Sequence, residues 1–352
     1  MKKERLFYLD FIRSISILSI VIYHINVYMT MHNIKGDYIF KISYANVDLG
    51  NIGVGLFFVI SGAALMYTYE EKFFLKEYFK KRFLALYPMF WIAYSVTFLC
   101  LFYKYKSLNH SAPDWTFILT ILGMDGYLSY FISDFYVLGE WFLGCIILLY
   151  LCFPILRKLV IKKPKILFSC ICIFYIVFVQ KYNFKMSIDH NFLIRIFDFL
   201  IGMYFVKYIK KVKKVEFILA LIISMVIIFI PVKINKMYEI TTIGISIFFV
   251  LVYIAQYIKS QQIKCIFEFI SKYSYSIFLV HHVIINEVLS RFDGTVLSRS
   301  EMFCLFLINI IIISIVSVQI FKISNKIKRI VWNVKTKNID ENKVININVT
   351  AL

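Results

Sequence analysis

Charged residues are scarce in this sequence: Asp, Glu, Lys and Arg make up only 17%, against 61% hydrophobic residues. A soluble domain carries about 25% charged residues, so the composition excludes an ordinary soluble protein. No long polar stretch separates the apolar runs, which leaves no room for a large soluble domain. A single helical membrane domain is the simplest reading of the 352 residues.

Several motifs of well-defined chemistry are also missing. The seven cysteines form no Cys-x-x-Cys pair, and most lie in apolar runs, where a thiol behaves as a small hydrophobe. Disulfides and a structural metal are therefore not expected. The sequence contains no Ser-His-Asp arrangement and no Gly-rich phosphate loop. It also lacks an internal repeat, which disfavours transporters built from inverted repeats.

Apolar runs close to the length that crosses a bilayer recur along the chain. They predict an all-α polytopic membrane protein of about ten transmembrane helices. We expect one transmembrane domain over residues 1–324, followed by a polar and mobile cytoplasmic tail over residues 325–352. The predicted spans are 6–29, 52–69, 83–103, 135–156, 166–180, 192–208, 215–232, 238–258, 273–290 and 302–323.

Basic residues outnumber acidic ones, 40 to 21, and give a formal net charge of +19. Lys and Arg concentrate in alternate connecting segments, including the N-terminal one, as the positive-inside rule describes. This pattern predicts that both termini are cytoplasmic, that the protein lies in the cell membrane, and that nucleic acid is not a partner. The opening residues resemble a signal peptide, but Asp10 and Arg13 within a long apolar run favour a retained span.

The first predicted span carries charge where a membrane helix avoids it. Asp10, Arg13 and His24 interrupt its apolar run, and ionisable groups at such depth usually face a protein interior or a water-filled cavity. Arg13 and His24 are eleven residues apart, so they point the same way and lie about 16 Å apart along the helix axis. The spacing indicates a site that holds an anion at one end and performs proton chemistry at the other, with neutral His24 as general base.

Basic and paired charges mark two further spans. Lys80, Lys81 and Arg82 open the third span, where cations at the membrane edge attract a phosphate-bearing ligand. Arg195 and Asp198, three residues apart in the sixth span, predict an ion pair within one helix.

The remaining candidates lie nearer the predicted outer side. Glu140 can accept hydrogen bonds from sugar hydroxyls, and the neighbouring Trp141 can stack on a sugar ring. Adjacent His281 and His282 point about 100° apart on a helix and lack the i, i+4 spacing of a helical zinc site, so no metal site is expected. Ser61 follows a Gly-rich run whose simplest role is helix packing.

In this order and spacing, the motifs resemble those of acyltransferase family 3, integral-membrane enzymes that acylate cell-surface glycans and related hydroxyl compounds. Arg13 followed by His24 is similar to the first-helix motif of that family. The chain departs from the family pattern at Ala85, where a second Arg is common, and at Ile146, where many members have Glu. The other matching elements are residues 57–62, Arg82 with 87–91, 141–143, 150–154, Arg195 with Phe199 and Gly202, and 274–281.

The resemblance implies transfer of an acyl group, usually acetyl, from cytoplasmic acyl-CoA to a hydroxyl of a surface polysaccharide or its lipid-linked precursor. No permanently bound cofactor is implied. His24 would deprotonate the acceptor or carry the acyl group transiently. The site residues expected on these grounds are His24, Arg13 and Asp10 for catalysis; Arg82, Lys81 and Lys80 for acyl-CoA; and Glu140, Trp141, His281 and Ser61 on the acceptor side.

Two alternatives stay open at the level of sequence. The same charges suit a carrier or flippase for an anionic lipid or glycan, which needs no general base. They also suit a membrane scaffold in which the polar groups only pack. Since Ala85 removes one arginine from the family pattern, Lys80, Lys81 or Arg13 would supply the second cation for the donor.

Overall fold

The computed structural model describes residues 4–36, 43–44, 47–106, 112–138, 141–231 and 233–336. These residues are mostly helical, and Ser43–Tyr44 (β1) pairs antiparallel with Val47–Asp48 (β2). The helices are α1 (Phe7–Met31), α2 (Leu49–Tyr69), α3 (Leu75–Tyr105), α4 (Phe117–Leu122), α5 (Asp125–Leu128), α6 (Trp141–Lys162), α7 (Pro164–Gln180), α8 (Phe192–Tyr204, continued as a π-helix over Phe205–Ile209), α9 (Lys214–Phe229), α10 (Lys236–Tyr257), α11 (Gln261–Leu289) and α12 (Arg299–Thr336).

The all-helical membrane architecture is confirmed, since each predicted span overlaps one of these helices. Within the described ranges, six helices are long and apolar enough to cross a bilayer: α1, α2, α3, α6, α10 and α12. Helices α7 to α9 are shorter, and α11 carries Lys264, Glu268 and Lys272 in its first half. The number of ten crossings and the cytoplasmic placement of the termini stay predictions.

Several helix boundaries differ from the sequence prediction, most of all at α11, which begins at Gln261 rather than at residue 273. Helix α3 begins at Leu75 rather than at residue 83, so the basic triplet belongs to one continuous helix. Helix α6 begins at Trp141 rather than at residue 135. Helix α12 continues through the boundary predicted at residue 324 and ends at Thr336. Hydropathy alone does not mark these ends because polar residues extend α3, α11 and α12 beyond their apolar parts. At α6 the apolar run starts earlier than the helix, since residues 135–138 are not helical. Residues 337–352 lie outside the described part of the chain.

Polar side chains set the starts of several helices. Asp48 accepts a hydrogen bond from the backbone N–H of Asn51 and caps α2. Asn191 and Asn235 cap α8 and α10 in the same way. Such caps satisfy N–H groups that have no partner within the helix.

Helix α1 lies at the centre of the bundle and packs on α2, α10 and α11. Helix α2 also packs on α8 and α10, while α3 and α12 contact α11. Asp10 contacts Ser271, Tyr28 contacts His282 and His32 contacts Asn286. Because residue numbers rise together along both helices, α1 and α11 run parallel. This arrangement places the polar face of α1 against α11.

Helices α2 and α8 cross closely at two glycines. A Cβ atom on Gly62 would lie 1.9 Å from the carbonyl oxygen of Phe199, and one on Gly202 would lie 1.8 Å from that of Val59. Only a residue without a Cβ atom allows this approach, as is common where membrane helices pack. The packing role predicted for the Gly-rich run of the second span is confirmed at Gly62.

Gly62→Ala is therefore expected to lower the stability of the folded protein. The new methyl group must displace α8 backbone, which costs about 1–3 kcal/mol for an overpacked interior. Gly55→Ala is a matched control on the same helix because its Cβ atom would lie 3.7 Å from Gly244 Cα, an ordinary contact. Thermal unfolding of both variants in detergent measures the difference, and equal unfolding temperatures would contradict the account.

Candidate active site

A polar network joins the N-terminal halves of α1 and α11. Asp10 accepts hydrogen bonds from Arg5 Nε and from Ser271 Oγ, each at 2.6 Å. Arg13 lies one turn further along, with its Nη1 atom 3.5 Å from Ser271 Oγ. Ser14 Oγ donates to the carbonyl oxygen of Phe267 at 2.6 Å. The carboxylate of Asp10 is thus neutralised by Arg5, and Arg13 has no carboxylate partner within 4.0 Å among the described residues.

Arg13 lines a cavity of about 50 Å³ between α1, α2, α3, α6 and α11. The space accommodates only a few water molecules. Its walls combine aromatic rings and hydroxyls with the guanidinium of Arg13. The lining residues are Arg13, Phe57, Ser61, Leu86, Phe142, Ile146, Tyr150, Ser274, Tyr275 and Phe278.

A second guanidinium lies beside the same cavity. Arg82 is buried, with 9% of its surface exposed, and its Cζ atom lies 5.8 Å from the centre of the Tyr150 ring. Its Nε atom has no hydrogen-bond partner within the described part of the chain. A buried N–H donor without an acceptor is costly. The pair Arg13 and Arg82 therefore makes this end of the cavity suited to an anion.

Three imidazole rings meet further along α1 and α11. The ring centre of His24 lies 5.1 Å from that of His281 and 3.9 Å from that of His282. His281 is fully buried, whereas His24 and His282 are partly accessible. The expectation that His281 and His282 diverge is wrong: their ring centres are 4.4 Å apart. Helical spacing fixes the direction of the Cβ atoms, but side-chain torsions bring the rings together.

Two phenylalanines separate the cavity from the imidazole rings. Phe142 and Phe278 both line the cavity, and their ring centres are 5.2 Å apart. The Phe278 ring also lies 5.9 Å from that of His281. The carbonyl oxygen of Phe278 also accepts a hydrogen bond from His281 Nδ1 at 2.7 Å. One aromatic layer therefore lies between the guanidinium end and the imidazole end of this region.

A separate polar cluster surrounds the N-terminus of α6. The rings of Trp141 and His190 stack with centres 3.7 Å apart. His190 contacts the hydroxyl of Tyr130 through Nδ1 and lies 3.6 Å from the carboxylate of Asp189 through Nε2. Arg195 Nε donates to the backbone carbonyl of Asp189 at 2.7 Å. An indole, an imidazole and a carboxylate are thus held together between α6 and α8.

The structure brings together several of the predicted site residues. The Arg13 and His24 side chains both face α11, as their spacing predicts. His281, expected on the acceptor side, lies directly beside His24. Ser61, expected there too, lines the cavity with Arg13. The ion pair predicted within the sixth span is confirmed, with Arg195 Nη1 2.9 Å from Asp198 Oδ2.

Other predicted site residues lie apart from the imidazole cluster. Asp10 is fourteen residues from His24, about 21 Å along a helix, so it orients Ser271 rather than the imidazole. Lys80 and Lys81 are exposed on α3, next to buried Arg82. Glu140 lies outside the described residues.

Several residues of the cavity, of the cluster around Trp141 and of the imidazole cluster were not predicted from the sequence. Tyr150 and Ser274 line the cavity. Both lie in elements that resemble the family motifs, at 150–154 and 274–281, but neither was predicted to have a role in the site. His190 and Tyr130 lie in connecting segments, where no periodicity relates them to Trp141. His282 was visible only as the neighbour of His281, and its contact with His24 depends on the pairing of two helices more than 250 residues apart.

A bundle of long apolar helices that encloses guanidinium and imidazole groups defines an integral-membrane protein with a buried polar site. The chain belongs to acyltransferase family 3, whose model, an acyltransferase domain, matches residues 6–318. It is therefore a multi-pass membrane acyltransferase. Comparisons with curated proteins and with solved structures give no match.

The Trp141–His190 stack allows the cluster at the N-terminus of α6 to be tested by a change of pH. Burial lowers the pKa of His190 to about 4, so the imidazole stays neutral from pH 8 to pH 5. Protonated imidazole quenches indole fluorescence, and the emission that Trp141 contributes should therefore be constant over this range and fall near pH 4. Subtracting the spectrum of Trp141→Phe isolates that contribution, and His190→Gln should abolish the transition. A transition centred near pH 6.5 would contradict the burial of His190.

Proposed function

We propose that the protein is an O-acyltransferase of the cell membrane that moves an acyl group, preferably acetyl, from cytoplasmic acyl-CoA to a hydroxyl of a surface polysaccharide or its lipid-linked precursor. The observation that carries the proposal is the position of His24. Its imidazole lies among polar side chains on α1 and α11, one aromatic layer away from a cavity lined by Arg13.

Arg82 and Arg13 would receive the donor. Guanidinium groups pair well with phosphates, and the Nε atom of Arg82 still lacks an acceptor within the described residues. Lys80 and Lys81 precede Arg82 on the same helix and would attract the phosphates of CoA to this end of α3. Because the cavity measures only about 50 Å³, entry of the pantetheine arm requires rotation of Phe142 and Phe278.

His24 would act on the hydroxyl or on the acyl group. In the direct route, its unprotonated nitrogen accepts the hydroxyl proton while the hydroxyl oxygen attacks the thioester carbonyl. The C–S bond breaks, and the CoA thiolate takes the proton back from the imidazolium. In the relay route, the nitrogen of His24 attacks the thioester first, CoA thiol leaves, and the hydroxyl then removes the acyl group from the imidazole.

Trp141 and the cluster around it would hold the acceptor. The indole offers a stacking surface and the carboxylate of Asp189 offers hydrogen-bond acceptors, a combination that suits sugar hydroxyls. The neutral imidazole of His190 holds the two together. Phe142 follows Trp141 in α6 and lines the cavity. The helix therefore connects the proposed acceptor surface directly to the aromatic layer beside His281.

His24→Ala is expected to abolish acyl transfer while the protein remains in the membrane. The assay supplies labelled acetyl-CoA to membrane vesicles and follows the label into glycan. His32→Gln is the matched control because His32 also joins α1 to α11, through Asn286 at 2.9 Å, but lies two turns beyond His24. Wild-type transfer by His24→Ala would remove His24 from the mechanism. Glycan movement without consumption of acyl-CoA would favour the carrier alternative.

Arg82→Gln is expected to raise the KM for acetyl-CoA by about tenfold or more, since a charge-assisted contact to phosphate contributes about 1.5–3 kcal/mol. The kcat should change less because Arg82 is distant from the imidazole cluster. Lys76→Gln removes an exposed cation from the same helix and should leave both constants near their wild-type values. An unchanged KM in folded Arg82→Gln would exclude Arg82 from donor binding.

A further inference from the structure

The imidazoles of His24, His281 and His282 form a cluster of three rings, whereas a general base requires only one. One ring nitrogen from each histidine lies within 4.8 Å of those of the other two. Within the described part of the chain, no carboxylate or thiol belongs to the cluster. Three ring nitrogens lie at such distances, one from α1 and two from α11. They form a set of electron-pair donors, unlike a single histidine that only packs between helices.

The hydrogen bonds of the rings orient these nitrogens. The carbonyl oxygen of Phe278 can only accept, so His281 Nδ1 carries the proton and its Nε2 holds a lone pair. That Nε2 atom is buried and has no hydrogen-bond partner among the residues described. His24 Nδ1 lies 3.4 Å from the carbonyl oxygen of Ile20, which favours the same tautomer. His282 Nδ1 lies 3.3 Å from the hydroxyl of Tyr28. Each ring is thus held through Nδ1, which leaves Nε2 for another partner.

We propose that His24, His281 and His282 bind one divalent transition-metal ion of the zinc class through their Nε2 atoms. Histidine ligands of metals are held in this manner, with the second ring nitrogen donating to a backbone carbonyl or another oxygen. An all-imidazole set suits Zn²⁺ or Co²⁺ and does not suit Mg²⁺ or Ca²⁺, which prefer oxygen ligands.

The ring nitrogens need to approach one another only modestly to reach coordination distances. Tetrahedral zinc with bonds of about 2.0–2.1 Å separates its ligand nitrogens by about 3.3 Å. In the cluster, one nitrogen of each ring, Nδ1 or Nε2, lies within 4.8 Å of the other two. Rotation of the partly accessible His24 and His282 rings closes this difference. Three protein ligands leave one coordination position for water or a substrate oxygen.

Metal binding would regulate the transferase. This consequence rests on the proposed function, whereas the binding site itself does not. A metal ion on Nε2 of His24 occupies the lone pair that would accept the hydroxyl proton or attack the thioester. Zinc should therefore inhibit acyl transfer reversibly, and a chelator should restore it.

The test uses the purified full chain in detergent, stripped of metal and titrated with Co²⁺, whose visible absorption reports four-coordinate nitrogen ligation. We expect one Co²⁺ per chain, displaced by Zn²⁺. His281→Gln and His282→Gln should each weaken binding by more than about 100-fold, because losing a ligand costs more affinity than losing a group that only hydrogen-bonds to a ligand. His32→Gln, on the same α1–α11 contact, should bind as wild type.

Two controls keep the outcomes distinct. Thermal unfolding of each variant without metal confirms that a loss of binding is not a loss of fold, and His282→Gln provides a partly accessible alternative to buried His281. Absence of the Co²⁺ spectrum at 100 μM metal (about a hundred times a micromolar Kd), or a spectrum that both Gln variants retain, would overturn the site. Because Co²⁺ binding is read without acyl-CoA, its failure leaves the proposed transferase untouched, and absence of transfer leaves the binding result valid.

Discussion

The parallel contact between α1 and α11 is the constraint on which the site depends. Asp10 meets Ser271 near one end, Tyr28 meets His282 further along, and His32 meets Asn286 beyond it. Polar groups buried in a bilayer are costly without partners, and each of these groups finds its partner on the other helix. The same contact brings His281 and His282 of α11 to the face of α1 that carries Arg13 and His24. A shift of one helix along the other would break all of these contacts together.

Other parts of the bundle hold that contact in place. The close crossing of α2 and α8 at Gly62 and Gly202 brings the cavity-lining Phe57 and Ser61 towards α1. The buried Arg195–Asp198 pair fixes the start of α8, and through Asp189 it supports the stack of His190 on Trp141. Breaking such a buried pair leaves an uncompensated charge. Packing and charge thus hold together one region that contains guanidinium groups, an aromatic layer and imidazoles in that order.

Hydropathy and helical periodicity predicted much of this arrangement and missed the rest for identifiable reasons. The period of 3.6 residues relates Arg13 to His24 within one helix, so their common face could be predicted. The pairing of Trp141 with His190 joins a helix start to a connecting turn, and nothing in a local sequence window encodes it. The convergence of His281 and His282 was mispredicted because periodicity gives backbone directions and not side-chain torsions. The starts of α3, α6 and α11 and the end of α12 differed because the apolar run and the hydrogen-bonded helix do not begin and end at the same residues.

The central claim is that a thioester donor enters beside Arg13 and reacts at His24. The sidedness of acyl transfer tests this claim most directly. Sealed membrane vesicles of both orientations receive labelled acetyl-CoA in the outer medium, and label in glycan is measured after equal times. The account predicts incorporation with inside-out vesicles, in which the predicted cytoplasmic side of the membrane faces the donor, and none with sealed right-side-out vesicles. Equal incorporation in both preparations would contradict a donor path that runs from Arg13 to His24.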